Sequence, residues 1–438
     1  MHSVADPATP ASGGRGSLGP SERPESRQTQ LPDPSSEPTS PLKGEIRALT
    51  GLRFVASILV VALHLSYAPG PTFTGLLAPL APVVAAGWLG VDLFFVLSGF
   101  VITLNYTGHL GQSFSARKAY VFLWARITRI WPTFALVTVL FGGWLLARSW
   151  FDDNPSFQAV QPQLSVPHLV EQLLMVQQWH RPYFPGASYV GPGWSVSAEW
   201  LAYCAFPVLA LGLWRLRRAS ASVTGSLALL CMVPFVVHNL VAGTAGFEYQ
   251  WLARIAAGFT AGALTCLAVQ RLGTNPRSGP VAEKVAAVLA GCLLVAVFVA
   301  DRVGAALGGD YQGVVVVLFP PLVGALALAR GSGSRWLGSR VLVHGGRISY
   351  ALYLVHYCVF EIVWTAMLSI AVIGPTTIGG SVVTVLSVPL ALVLAHLLYT
   401  RVEEPARRKL RIIGPRTSED RPGDARPRTR AATHAAKA

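Results

Sequence analysis

The chain has 438 residues, of which 52% are hydrophobic and only 13% are charged. A soluble domain of this length usually has about a quarter of its residues charged. The composition therefore excludes an ordinary soluble enzyme and indicates a polytopic membrane protein. The net charge of +14 also occurs in nucleic-acid-binding proteins, but here the basic residues collect at the ends of apolar segments. We expect a lipid bilayer as partner and no nucleic acid.

The two ends of the chain differ in composition from its middle. Residues 1–44 are rich in Pro, Ser, Gly and charge, and residues 413–438 are strongly basic. Such segments cannot bury enough apolar surface to fold, and the first one lacks the basic-then-apolar order of a signal peptide. We expect two disordered cytoplasmic tails on either side of a membrane domain at 45–412.

Ten apolar runs between the tails are long enough to cross a bilayer as helices, which predicts an all-α polytopic transmembrane bundle. They lie near residues 49–68, 84–106, 121–147, 194–214, 223–242, 250–269, 284–301, 312–330, 347–373 and 379–400. An even number of crossings places both termini on one side. If that side is the cytoplasm, most arginines of the connecting segments are cytoplasmic as well, as the positive-inside rule requires. We therefore expect a multi-pass protein of the cytoplasmic membrane with both termini cytoplasmic.

One outer loop, from about 148 to 193, is unusually long. It contains VPHLVEQLLMVQQW, in which apolar residues recur at helical spacing. Long loops in compact proteins are often functional. We expect a short interfacial or re-entrant helix in this loop, and we expect the loop to cover a site that faces outward.

Four ionisable residues are predicted in the outer half of the membrane, each on a different helix: His64, Asp92, Glu199 and Arg254. Such residues are costly in a bilayer and usually functional. Histidine is the side chain best suited to take a proton from a hydroxyl near neutral pH, so His64 is the candidate general base. A carboxylate beside it would orient the ring. Asp92 is the first candidate because it lies on the next antiparallel helix, and Glu199 is the second.

Three arginines, Arg53, Arg126 and Arg129, are predicted at the inner ends of their helices. Arginine binds phosphate in a forked geometry, although plain topology or lipid headgroups also explain such positions. Arg53 and His64 are eleven positions apart, about 16 Å along a helix and nearly on one face. A phosphate-bearing carrier with an arm of about the length of pantetheine would therefore present its thioester near His64. No metal-ligand spacing is visible, and we expect no metal.

Five further side chains are candidates for contacts with an acceptor substrate. They are Trp194, Ser197, Arg254, Tyr353 and His356. Trp194 and Ser197 lie in the same GWSVSAEW segment as the candidate acid, and the last two lie in GRISYALYLVH. Tyr350, Tyr353 and Tyr357 share approximately one helix face, which is compatible with plain packing as well as with a ligand slot. A buried imidazole such as that of His356, in contrast, needs hydrogen-bond partners.

Five motifs along the membrane region carry a family resemblance. They are Arg53-x10-His64, GWLGVDLFFVLSGFVIT (87–103), RITRIWP (126–132), GWSVSAEW (193–200) and GRISYALYLVH (346–356). In this order they span roughly 46–410, and with them the chain resembles integral-membrane acyltransferases of the acyltransferase-3 type, which include bacterial glycan O-acetylases and macrolide O-acylases.

The resemblance implies an acyl-CoA donor that enters from the cytoplasm. It also implies an essential histidine at His64, functional arginines at Arg53, Arg126 and Arg129, and an important acid at Glu199. Two features depart from the family: Trp200 stands where a second acid often follows, and the fused esterase-like C-terminal domain of many polysaccharide O-acetylases is not found. The second departure weakens a cell-envelope polysaccharide as the acceptor without excluding it.

The leading functional hypothesis is O-acyl transfer from acyl-CoA, with acetyl as the expected group, to a hydroxyl of a carbohydrate or glycosylated acceptor. Acylation of a macrolide-type natural product is the alternative within the same chemistry. A transporter of an acylated or anionic small molecule and a catalytically silent sensor are the competing classes. Direct transfer and an acyl-histidine intermediate both stay open at this point.

Overall fold

The structure is a computed structural model. It describes residues 45–71, 78–150, 162–273 and 278–415. Within these ranges the chain forms helices and no strands, so the predicted all-α bundle is confirmed. Most of the two predicted tails, and residues 151–161 of the long outer loop, lie outside the described residues.

The described residues form fourteen α-helices. The α-helices are α1 (Arg47–Leu65), α2 (Ala81–Ala85), α3 (Leu89–Leu110), α4 (Ala116–Arg148), α5 (Val166–Leu173), α6 (Gly193–Leu216), α7 (Ala221–Ala242), α8 (Gln250–Leu272), α9 (Ser278–Leu307), α10 (Phe319–Leu328), α11 (Ser332–Leu337), α12 (Arg340–Ser369), α13 (Ile378–Leu398) and α14 (Glu404–Ile413). Four short 3-10 segments and one π-helical segment lie between them, at Ala78–Leu80, Ala86–Trp88, Gln312–Leu318, Ala371–Ile373 and Tyr399–Glu403. The short helix predicted in the outer loop is α5.

The tenth predicted crossing differs from the other nine. In the described part of the chain nine helical stretches are long and apolar enough to span a bilayer, and the tenth run, Gln312–Leu328, is shorter. Its first seven residues form a 3-10 helix and its last ten an α-helix. At about 2.0 and 1.5 Å per residue these parts together cover about 29 Å, close to the apolar thickness of a bilayer. The stretched 3-10 half therefore compensates for the missing residues.

Contacts at its two ends show the direction of this element. It begins just after α9 ends at Leu307, and Gly331, just beyond its end, donates a hydrogen bond of 2.9 Å to Glu283 in the first turns of α9. The element therefore runs back alongside α9 and antiparallel to it.

The starts of several helices are encoded locally by hydroxyl residues. Ser115, Ser165, Ser220, Ser339 and Thr377 precede α4, α5, α7, α12 and α13, and each accepts a hydrogen bond from the backbone N–H three residues further on. Such a cap satisfies an amide that has no partner within the helix and contributes about 1 kcal/mol. These polar residues therefore help to set where the apolar segments become helical.

Small residues bring the central helices into close contact. Gly99 on α3 packs against the carbonyl oxygen of Phe259 on α8, and Gly262 on α8 packs against that of Val96 on α3. Gly346 on α12 meets the backbone of α1 in the same way, and a Cβ at any of the three glycines would overlap a carbonyl oxygen. Close approach through glycine is typical of helix packing in membranes. It places α1, α3, α8 and α12 side by side, and these helices carry most of the candidate site.

Candidate active site

A cavity of about 1100 Å³ lies at the end of α1 that carries His64. We call it the histidine cavity. Its lining includes His64, Trp88, Phe184, Trp194, Arg254 and Tyr353. Phe184 belongs to the long outer loop, which therefore helps to enclose the space. Three of the five predicted acceptor contacts, Trp194, Arg254 and Tyr353, thus lie on one cavity wall with His64.

The His64 ring has a defined orientation. Its Nδ1 lies 2.9 Å from the carbonyl oxygen of Val60, one turn earlier on α1. A carbonyl oxygen only accepts, so in the neutral ring Nδ1 carries the proton and Nε2 has the lone pair. The second nitrogen is therefore the one able to take a proton from a substrate in the cavity.

A second histidine, His356, packs against His64. The fully buried His356 donates from Nδ1 to the carbonyl oxygen of Leu352 at 2.8 Å, which leaves its Nε2 as an acceptor. This Nε2 lies 3.4 Å from Nδ1 of His64, and the ring centroids are 5.0 Å apart. His64 thus has two acceptors near its Nδ1–H. The structure places His356 against His64, and its contact with an acceptor stays a prediction.

Two tyrosine rings also contact the His64 imidazole edge to face. The centroids of Tyr357 and Tyr67 lie 5.6 and 6.0 Å from that of His64. Tyr67 follows the end of α1, and burial raises the pKa of its hydroxyl above the usual value. The hydroxyl is therefore neutral at physiological pH and able to donate a hydrogen bond at the edge of the cavity.

Asp92 and Arg254 form a buried ion pair. The guanidinium donates from Nε to Oδ1 at 2.9 Å and from Nη2 to Oδ2 at 2.8 Å, so the pair is bidentate. The guanidinium also lies between the rings of Trp88 and Trp194, at 5.0 and 5.1 Å from their centroids. Among the described residues no hydrogen bond joins Asp92 to His64, and its predicted role in orienting that ring stays a prediction.

Glu199 lies in a different environment from His64. Its Oε1 accepts hydrogen bonds of 2.5 Å from both Ser98 Oγ and the Tyr203 hydroxyl. It also interacts electrostatically with Arg53. The layer of four ionisable residues expected from the sequence therefore divides: Glu199 belongs to the surroundings of Arg53. A catalytic role for this carboxylate stays a prediction.

The Ser197 hydroxyl on α6 makes two hydrogen bonds to the outer loop. This fully buried group donates to the carbonyl oxygen of Met175 at 2.8 Å and accepts from the amide of Gln178 at 3.3 Å. These contacts hold the loop, and a contact with an acceptor stays a prediction. Tyr353, in contrast, lines the histidine cavity, where its hydroxyl is 2.7 Å from Ser195 Oγ.

A second cavity, of about 640 Å³, lies at the other end of α1. We call it the arginine cavity. Its charged lining residues are Arg53, Arg129, Arg347, Arg407, Arg408, Glu45, Glu403 and Glu404. With five arginines against three glutamates, the cavity attracts anions.

Three of these arginines are paired with carboxylates at the rim. Arg347 lies 2.8 Å from Glu45, and Glu404 lies 3.0 Å from Arg407 and 2.9 Å from Arg408. Arg347 donates a hydrogen bond to Glu45 and places a positive charge beside it. Together these hold the pKa of Glu45 below the ordinary value of 4.5. Glu45 is therefore ionised at neutral pH and partly neutralises the arginines there.

Arg53 and Arg129 differ from the rim arginines. Neither has a hydrogen-bonded carboxylate among the described residues, although Glu403 interacts electrostatically with both. The Nε atom of Arg53 is buried and has no hydrogen-bond partner in the described part of the chain. Since a buried donor normally has an acceptor, this atom fits the oxygen of a bound phosphate.

Arg126 points elsewhere than Arg129, although both lie on α4. Its Nη2 donates to the Tyr106 hydroxyl at 2.8 Å, and its guanidinium lies over the rings of Tyr106 and Phe122. Residues three apart on a helix are rotated by about 60° from each other, which is enough for the two side chains to diverge. The predicted phosphate contact of Arg126 stays a prediction.

The sequence interpretation missed the rim of the arginine cavity. Arg407 and Arg408 follow the last predicted crossing, where the positive-inside rule already explains basic residues, and Arg347 lies in GRISYALYLVH. The signal available in the sequence was that all these arginines are predicted at the same end of the bundle. Which of them turn inward depends on helix packing, and periodicity does not determine that.

The fold and the site define a class of protein: a polytopic membrane protein with one histidine-bearing and one arginine-bearing cavity at the two ends of the same helix. A family model described as an acyltransferase domain matches residues 46–399. The chain belongs to this acyltransferase-3 family and is a membrane acyltransferase. It is also 30% identical over 393 residues to acyltransferase MdmB of Streptomyces mycarofaciens, which covers 83% of this chain and 92% of that protein. No solved structure matches the chain.

Proposed function

We propose that this acyltransferase moves an acyl group, normally acetyl, from cytoplasmic acyl-CoA to a hydroxyl of a carbohydrate or glycosylated acceptor. One observation carries the proposal: α1 places Arg53 in the arginine cavity and His64 in the histidine cavity, about 16 Å apart along the helix. Acyl-CoA has the same arrangement, because its phosphates and its thioester lie at opposite ends of the pantetheine arm.

The donor's phosphates would bind at Arg53 and Arg129, the two described arginines of the arginine cavity that have no hydrogen-bonded carboxylate. Rim arginines such as Arg347 would add long-range attraction, and ionised Glu45 would oppose it. With the phosphates held there, the thioester reaches the end of α1 that carries His64.

In the chemical step, Nε2 of His64 takes the proton from the acceptor hydroxyl as the hydroxyl oxygen attacks the thioester carbonyl carbon. The new C–O bond forms, the C–S bond breaks, and the leaving thiolate takes the proton from the imidazolium to give free CoA. His356 Nε2 and the Val60 carbonyl hold the Nδ1–H side of the ring. The alternative route is attack by Nε2 itself, with an acyl-histidine intermediate.

The size and lining of the histidine cavity support an acceptor larger than a monosaccharide. Sites for drug-sized ligands usually measure about 300–1,000 Å³, and this cavity has about 1100 Å³ with aromatic side chains in its wall. A glycosylated molecule with an apolar body fits these properties. A macrolide-type natural product therefore remains the second candidate acceptor.

The test uses purified protein in nanodiscs with radiolabelled acetyl-CoA, and it compares wild type with Arg53→Ala and His64→Ala. We expect Arg53→Ala mainly to weaken acetyl-CoA binding. His64→Ala should keep binding but lose about 10²–10⁴-fold in turnover, the usual contribution of a general base. The exposed Arg340→Gln and His180→Ala serve as matched controls and should behave like wild type.

Two results would contradict the proposal. A folded wild type that neither binds nor turns over any acyl-CoA would show that the donor is wrong and would favour the transporter or sensor hypothesis. Wild-type turnover in His64→Ala would remove the proposed base. A panel containing a monosaccharide glycoside, an oligosaccharide and a glycosylated macrolide then ranks the acceptors by kcat/KM.

A further inference from the structure

The two cavities are separated by a layer of protein of nearly constant thickness. On α1 the lining changes from Arg53 in the arginine cavity to Val60 in the histidine cavity, and on α3 from Leu97 to Val91. These intervals correspond to about 10.5 and 9 Å along the helices. The interval on α12, from Arg347 to Tyr353, is also about 9 Å. On all three helices the residues between the two linings lie at about the same level along the bundle. Together they form a partition between the two cavities.

Phe94 on α3 occupies the middle of this partition. It lies midway between Val91 and Leu97, three residues from each, and it lines neither cavity. Its ring centroid is 6.0 Å from the guanidinium carbon of Arg53 on one side and 6.1 Å from the ring centroid of Tyr353 on the other. A single side chain thus contacts the lining of both cavities.

Phe94 is held in this layer by packing alone. The hydroxyl of Ser57 donates to the carbonyl oxygen of Phe54, and that of Tyr350 donates to Ile130, at 2.8 Å in each case. Phe94 has no polar group to hold it. Its ring is partly exposed although the residues on either side of it in sequence are buried, so there is space next to it. A phenylalanine ring uses such space by changing two side-chain torsions.

We propose that Phe94 is the gate between the two cavities and that it sets the size of the acyl group that passes. This inference rests on the proposed function, because an acyl-CoA bound at Arg53 must send its thioester through the partition to reach His64. The closed ring separates the two cavities. When the ring rotates aside, the acyl group crosses the partition. The space beside the rotated ring limits the size of the acyl group that crosses.

The test compares wild type, Phe94→Ala and Phe94→Trp, with the exposed Phe114→Ala as a matched control and thermal stability as a check of folding. Transfer is measured with acetyl-, butyryl- and hexanoyl-CoA, and hydrolysis is measured without acceptor. In hydrolysis a water oxygen bonds to the acyl carbon, the C–S bond breaks, and the carboxylic acid and CoA are released. Binding of adenosine 3′,5′-bisphosphate, which has phosphates but no pantetheine arm, reports on the arginine cavity alone.

We expect Phe94→Ala to raise the butyryl-to-acetyl ratio of kcat/KM about tenfold, the scale on which a pocket discriminates by a few methylenes. Its acceptor-independent hydrolysis should rise about fivefold, since an open passage admits water. Phe94→Trp should lower acetyl transfer about tenfold because the larger ring narrows the passage. Nucleotide binding should change at most about fivefold in any variant, the scale of one cation–π contact such as that between Phe94 and Arg53.

If both Phe94 variants keep the wild-type chain-length ratio and hydrolysis rate, the gate is wrong. If Phe94→Trp loses nucleotide binding, the residue acts on the donor site and the gate is again overturned. If folded wild type neither binds the nucleotide nor turns over acyl-CoA, the proposed function itself fails and the gate fails with it. That result is distinct from the other two.

Discussion

His356 Nε2 lies 3.4 Å from His64 Nδ1, and this contact links α12 to α1 beside the histidine cavity. The partner behind the candidate base is therefore a second imidazole, whereas in a Ser-His-Asp site it is a carboxylate. A neutral imidazole accepts the Nδ1–H without adding a negative charge. Its contribution is to fix the orientation of the ring.

His356 should act as a positioning residue for His64. We expect His356→Phe to lower kcat about three- to tenfold, the scale of one lost hydrogen bond, with little change in KM. His356→Gln should recover part of the rate because its amide oxygen is able to accept the Nδ1–H. Steady-state kinetics and the pH profile of kcat check this. Equal rates in the Phe and Gln variants would show that the hydrogen bond does not matter.

Breaking the Asp92–Arg254 pair should be strongly destabilising. Replacing one partner leaves the other charge buried and unpaired, which costs about 3–5 kcal/mol. We expect Asp92→Asn to lower the thermal stability of the protein in detergent, and Asp92→Leu combined with Arg254→Met to recover much of it. The control is Arg181→Gln, since the partly exposed Arg181–Glu171 pair, at 3.5 Å, should contribute at most about 1 kcal/mol. An Asp92→Asn protein as stable as wild type would contradict this.

The hydrogen bond from Tyr203 to Glu199 should matter for stability and not for the base. Tyr203→Phe removes one of the two hydroxyl groups that donate to Glu199, and we expect a loss of about 1–3 kcal/mol in the free energy of unfolding. The pH profile of kcat should stay in place because Glu199 lies away from His64. Tyr183→Phe, which loses only a 3.5 Å bond to Glu248, is the control. A displaced pH profile in Tyr203→Phe would instead connect Glu199 to His64.

The Glu45–Arg347 pair should make stability depend on pH in a defined direction. Because Arg347 lowers the pKa of folded Glu45 below 4.5, the pair stabilises fully above that value, and the stabilisation disappears as the pH falls through the folded pKa. We expect wild type to exceed Glu45→Gln by at most about 1 kcal/mol at pH 7, since both side chains are partly exposed. The difference should vanish in acid. Thermal unfolding from pH 7 to 3 measures it, and an Arg347→Met background should abolish it.

The sequence predicts how deep a residue lies along its own helix. It predicts much less well which residues of other helices that residue contacts. Apolar run lengths give the ten crossings, and charge positions place His64 near one end of α1 and Arg53 near the other. Rotation about the helix axis is set by packing, so the pairing of Asp92 with Arg254 and the position of His356 behind His64 were not predictable. The divergence of Arg126 from Arg129 has the same origin. A 3-10 stretch such as Gln312–Leu318 leaves no mark in hydropathy.

The Asp92–Arg254 pair has a consequence for how the protein is made. Its two members are 162 residues apart, so α3 leaves the ribosome long before α8. A charged residue at the centre of a helix costs about 2.5–3.5 kcal/mol on insertion. Asp92 and Arg254 lie near the starts of α3 and α8, so each carries a smaller cost, and neither helix is relieved of it until the other arrives. Their glycine contacts, Gly99 with Phe259 and Gly262 with Val96, also form only at that moment. The nascent chain therefore carries an unmatched acid in the bilayer until the sixth crossing completes both the charge balance and the wall of the histidine cavity.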